Sequence, residues 1–143
     1  MVRIPGMNYT QDNRGIIQYQ RRFHQAVDFK GLRFENITPT DIDGFVEYRG
    51  KVFILFKFKH VDATYDINGG QMKALTMTCD AIQTDSRHAM ILLCRHDKPP
   101  HMDIVAYETL VEAVYHKRVW WDYRPFNRTA GEVFLRIMEK NGR

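Results

Sequence analysis

Residues 41 to 60 read DIDGFVEYRGKVFILFKFKH, with Asp41 and Asp43 on one side of a short glycine-containing turn and Lys57 and Lys59 on the other. A carboxylate can hold Mg²⁺, and an ammonium can stabilise charge on a phosphoryl oxygen or orient water, provided both face one cleft. The plainer alternative is a cross-strand salt bridge. Which residues share a face depends on the turn. If Arg49, Gly50 and Lys51 form a three-residue loop with Gly50 left-handed, Tyr48 pairs with Val52, Glu47 with Phe53, Phe45 with Leu55 and Asp43 with Lys57. Asp41, Asp43, Lys57 and Lys59 then lie on one face, whereas a two-residue loop slips the register and separates them. Glu47 shares that face but sits roughly 13 Å along the strand from Asp43, too far to serve as its partner ligand.

Elements must position these groups. Ile16, Tyr19, Phe23, Ala26 and Val27 repeat at helical intervals and predict a helix over about 12–28, with Arg14, Arg21 and Arg22 off the apolar stripe, as a solvated surface or as phosphate contacts. LRFENI predicts a first strand after Gly31, and the hairpin supplies the second and third. Val52, Ile54, Phe56 and Phe58 line one face of the third strand, while Phe53 and Leu55 lie on the charged face, so both sides expect cover. Met72, Leu75, Cys79 and Ile82 predict a helix over 71–84. HAMILLCR at 88–95 and IVAYE at 104–108 predict two more strands. The segment VEAVYHKRVWWDYRP is expected to begin as a short helix and end as an irregular aromatic surface. Thr129, followed three residues later by Glu132, caps a last helix that buries Val133, Phe134, Ile137 and Met138.

The stretches TPTDIDGFVEYRGKVFILFKFK and GGQMKALTMTCDAI together resemble the PD-(D/E)XK nuclease superfamily over about residues 10 to 110. The resemblance implies an α/β fold, a restriction-endonuclease-like core with a central mixed sheet flanked by helices, in one domain over 1–143. It implies a DNA endonuclease using Mg²⁺ or Mn²⁺. Asp43 takes the family's aspartate role, Lys59 the lysine role and Gln71 that of the glutamine early in the following helix. The Phe58 carbonyl helps coordinate metal. Restriction, branched-DNA resolution, repair and phage-related processing all fit such a scaffold, and a homodimer would deliver two cuts to duplex DNA.

The chain departs from the pattern at Lys57, which stands where Glu or Asp completes the metal pair. Exchanging an anion for a cation there changes the local charge by two and removes two acceptor oxygens. Cleavage is expected to be impaired unless Asp41 or another carboxylate, such as Glu35, substitutes. An engineered inactivating change, a natural loss in a DNA-binding relative and an altered active arrangement each account for Lys57. A noncatalytic nucleic-acid-binding or protein-interaction module is the competing reading.

Composition constrains the rest. The 143 residues carry 21 Lys and Arg against 17 Asp and Glu, a mild basic excess that permits a polyanionic partner without demonstrating one. No apolar run approaches the roughly 20 residues that span a bilayer, and the N-terminal stretch lacks a signal peptide's apolar core, so a cytoplasmic protein away from membranes is expected. Cys79 and Cys94 sit in apolar segments and are expected as free thiols. Cys94, His96 and His101 do not reproduce a zinc spacing, and there is no Walker loop or dinucleotide fingerprint. In KRVWWDYR, Lys117, Arg118 and Arg124 could contact phosphate while Trp120, Trp121 or Tyr123 stack on unpaired bases. Alternatively the two tryptophans fill a cleft between the last helix and the sheet.

Overall fold

The computed structural model describes residues 30–35, 39–64 and 69–143. The chain divides into two compact units, Met1–Pro39 and Thr40–Arg143. In the first, Phe34 makes a single bridge and Glu35 turns at φ 53°, so a strand does not run unbroken through the start of LRFENI. The remainder of that stretch and the expected helix over 12–28, with Arg14, Arg21 and Arg22, lie outside the described residues.

The second unit is built on a five-stranded sheet of order β1-β2-β3-β4-β5, comprising β1 Gly44–Tyr48, β2 Val52–His60, β3 His88–His96, β4 Leu110–His116 and β5 Val119–Asp122. Helix α1, Gly70–Ile82, carries the chain from β2 to β3, and helix α2, Ala130–Asn141, closes it. Because a helix separates them, β2 and β3 pair in parallel, whereas the hairpin-connected β1–β2 and β4–β5 pairs, and β3–β4, are antiparallel. The result is a mixed sheet flanked by two helices.

The sheet is covered on both faces, which follows from the composition of its inner strands. Ala89 through Arg95 are all buried in β3. An uninterrupted run of this kind suits a strand with helices above and below it, each buried Leu or Ile contributing about 1.5–3 kcal/mol. On one face Val52, Ile54, Leu92 and Val114 pack with Val133 of α2, and Phe56, Phe58, Phe134, Ile137 and Met138 close around them. On the other, Leu55, Ile91 and Leu93 pack under Met72, Leu75 and Cys79 of α1. Tyr115 pins α1 to β4 by donating its hydroxyl proton to Asp80 Oδ1 at 2.7 Å. Both cysteines are free and buried, and burial pushes each thiol up to about 12.

Two expectations from the sequence are corrected. IVAYE is not a strand: Ile104 to Glu108 is exposed and ends in a 3-10 turn at Ala106–Glu108. Tyr107 lies against Gly131, where a Cβ on residue 131 would collide with its ring, so this segment lies over the start of α2 instead of pairing in the sheet. VEAVYH is not helical either. It is β4, whose alternation reads poorly because a bulge at Leu93/Cys94 shifts its pairing with β3. The expected helix cap is present, with Thr129 Oγ1 accepting from the Glu132 amide at 3.2 Å.

His88 and His116 close the other end of the sheet, with their Nδ1 and Nε2 atoms 3.0 Å apart. Burial, then His88 and the cations Lys117 and Lys140, lower His116 from 6.5 to about 4, and His88 is also lowered. The folded state therefore binds fewer protons than the unfolded chain between these values. Stability present above pH 6.5 is lost as pH falls toward 4. We expect the urea midpoint to fall over this window by an amount equivalent to about 1–2 kcal/mol more in the parent than in His116→Gln. Equal acid sensitivity in the two proteins would refute the assignment.

Candidate functional site

The β1–β2 turn decides what the charged residues can do. Arg49 and Gly50 both adopt positive φ, 51° and 65°, and the Lys51 amide donates to the Tyr48 carbonyl at 2.9 Å. Glu47 steadies the turn by accepting from the Gly50 amide at 2.7 Å. This geometry delivers the register in which Tyr48 meets Val52 and Gly44 meets Phe56. Asp43 consequently arrives beside Lys57, as the three-residue loop requires.

Asp43 and Lys57 form an ion pair, Oδ1 to Nζ at 3.6 Å, while Oδ2 accepts from the Phe58 amide at 2.9 Å. The ammonium side of the pair is enclosed, at 7% side-chain exposure, and the carboxylate side is open at 30%. Lys57 lies on the same face as Phe53 and Leu55, beneath α1, and its apolar stem continues that core toward the carboxyl end of β2.

Lys59, two residues further on that face, is half-buried and forms no ion pair among the described residues. Its register partner in β3 is Arg95. The Arg95 guanidinium is held by Glu112 at 2.7 Å, by the His60 carbonyl at 2.8 Å and by the Ala63 carbonyl, so it secures the chain as it leaves β2. Gln71 is half-buried in the first turn of α1, beside the buried Met72. Since α1 starts after the loop leaving β2, Gln71 belongs to the same end of the sheet as Lys59. In open α/β sheets this carboxyl end is where ligands bind.

Divalent metal does not fit the residues present. Both Asp43 oxygens are occupied, one by an ammonium and one by a backbone amide, and a cation stands where a second carboxylate would be needed. Among the described residues no three His, Cys, Asp or Glu side chains gather to hold a metal. Asp41 is exposed ahead of β1, and among the described residues no hydrogen bond or ion pair joins it to Asp43. Glu35 belongs to the other unit.

The aromatic segment is divided by the sheet. β5 sends adjacent tryptophans to opposite faces: Trp120 packs on Tyr115 with ring centroids 5.0 Å apart, and Trp121 pairs with Val114 on the α2 face. The two therefore do not fill one cleft. Arg124 lies with Trp120 on the α1 face, where its guanidinium forks onto Asp122 at 2.7 to 3.1 Å and holds that carboxylate at about 2. Lys117 and Arg118 form the β4–β5 turn at φ 50° and 66°, a backbone conformation that glycine and asparagine adopt more readily. KRVWWDYR thus distributes its cations and rings over two faces and a turn, which adjacency in sequence had concealed.

Replacing Asp43 by Ala removes the carboxylate facing an enclosed ammonium, and we expect a loss of about 1–3 kcal/mol in urea unfolding. The double change Asp43→Ala/Lys57→Met should recover most of it, because an apolar side chain of similar length suits the core around Leu55. Additive losses in the double variant would show that the pair is not coupled.

No family model matches the chain, and comparison with curated proteins and with solved structures returns no match.

Proposed function

We propose that this chain is a DNA-directed domain of the PD-(D/E)XK nuclease type, an endonuclease scaffold in which Lys57 suppresses metal-dependent phosphodiester hydrolysis. The observation that carries this reading is the hairpin register. It sets Asp43 against position 57 with Lys59 on the same face, and α1 and a parallel β3 follow in the order the resemblance requires. Lys57 spends its charge on Asp43 and fills the space beside it, so any attraction for phosphate has to come from other cations. Among the described residues on this face Lys59 forms no ion pair and can meet a phosphate, near the opening of α1, whose first turn holds no acidic residue.

The misfit to metal supports a second reading, a noncatalytic nucleic-acid-binding module built on the same hairpin. One pair of measurements separates the two. The parent should bind DNA with salt-dependent affinity, weakened several-fold by Lys59→Gln, and should not cut it. Lys57→Glu should acquire Mg²⁺- or Mn²⁺-dependent cleavage at least a hundredfold above the parent, on duplex, single-stranded or branched DNA, and adding Asp43→Ala should abolish it. Binding by the parent without cleavage by a folded Lys57→Glu protein on any of these substrates would favour the module. Absence of both would remove DNA from either reading.

A further inference from the structure

On the face of the sheet opposite Lys57, a cleft of about 380 Å³ opens between β5 and α2. Its two sides differ in chemistry. Trp121 in β5 and Tyr123 just after it, two residues apart and on one face of the strand, form an aromatic side, and Trp121 is 56% exposed although Val114 and Val133 of the same cleft are buried. The other side is a row along α2. Glu132, Arg136 and Lys140 follow at intervals of four, with Arg128 one turn earlier. Arg128 is paired with Glu132 at 3.7 Å, whereas Arg136 and Lys140 form no ion pair among the described residues. Three cations and one carboxylate thus face an exposed indole across the cleft.

We propose that this cleft binds a nucleotide unit, with the base stacked on Trp121 and Tyr123 and the phosphate held by Arg136 and Lys140. A flat aromatic side opposite two unpaired cations matches a ligand that joins a π-face to an anion, and the volume lies in the range of small-ligand pockets. An aliphatic ligand would leave the cations unmatched, and a bare anion would leave the exposed indole uncovered. The same chemistry is carried by a free mononucleotide and by the phosphorylated end of a single strand. The inference does not rest on the nuclease reading, since Lys57 and its neighbours lie beneath the other helix.

Calorimetric titration of the full chain tests it, with thymidine 5′-monophosphate, thymidine and a 5′-phosphorylated thymidine octanucleotide as probes. We expect saturable binding of the monophosphate, at least tenfold tighter than thymidine. Trp121→Ala should weaken the monophosphate tenfold or more. Arg136→Gln/Lys140→Gln should reduce it to the affinity of thymidine. Lys73→Gln, on the exposed side of α1, should leave all three probes unchanged. An octanucleotide that binds tenfold tighter than the monophosphate identifies a strand end as the ligand, and equal affinities identify a free nucleotide. No binding of any probe at millimolar concentration overturns the proposal, as does an unchanged affinity in Arg136→Gln/Lys140→Gln, whose exposed side chains keep the test valid should Trp121→Ala fail to fold. Displacement of the monophosphate by octaglutamate as efficiently as by the octanucleotide would reassign the cleft to acidic polypeptide.

Discussion

The parallel pairing of β2 with β3 is the constraint on which the rest of this structure depends. Two parallel neighbours cannot be joined by a tight turn, so the chain must cross over the sheet, and α1 is that crossover. Once α1 covers one face, the apolar run of β3 from Ala89 to Cys94 still needs cover on the other, and α2 supplies it. The β1–β2 and β4–β5 hairpins then extend the sheet on either side, the second reached through the longer connection between His96 and Leu110. Candidate residues on the sheet take their positions from this arrangement: Lys57 and Lys59 lie under α1 because of their parity in β2, and Trp121 faces α2 because of its parity in β5.

The Asp43–Lys57 pair shows how a hairpin fixes which two side chains meet while the residue types decide their chemistry. The hairpin places Asp43 beside position 57 whatever residue stands there, since the register is set at the turn by Arg49, Gly50 and the Glu47 carboxylate. A carboxylate at 57 would face Asp43 with like charge and call for a cation between them. The lysine supplies that cation covalently and places its stem in the apolar layer beside Leu55. The enclosed ammonium therefore balances Asp43 and leaves no acceptor oxygen at this position.

Charge outside that pair is divided between cations that anchor the chain and cations that form no ion pair among the described residues. Arg95 and Arg124 are committed to Glu112 and Asp122, and Arg95 also holds the carbonyls that end β2. Lys59, Arg136 and Lys140 carry no such commitment among the described residues, and they lie on two different faces of the sheet. The mild basic excess of the whole chain is thus less informative than which cations remain unpaired.

The sequence by itself determined a good part of this. Gly50 and the spacing of the hairpin narrowed its register to that of a two- or a three-residue loop, because a short loop leaves few ways to pair two strands, and the turn through Arg49 and Gly50 decided for the longer one. The periodicity of Met72, Leu75 and Cys79 and the Thr129–Glu132 cap located both helices for equally local reasons. The tertiary structure decided what local pattern could not. IVAYE reads as a strand by composition, but the edge it would occupy belongs to β4, and Tyr107 packs against Gly131 instead. VEAVYH reads as a helix because a bulge in its pairing with β3 spoils its alternation, and only pairing with a neighbour reveals it as a strand. Likewise the cleft between Trp121 and Arg136 joins residues separated along the chain, through packing of a helix on a sheet, and no spacing rule brings them together.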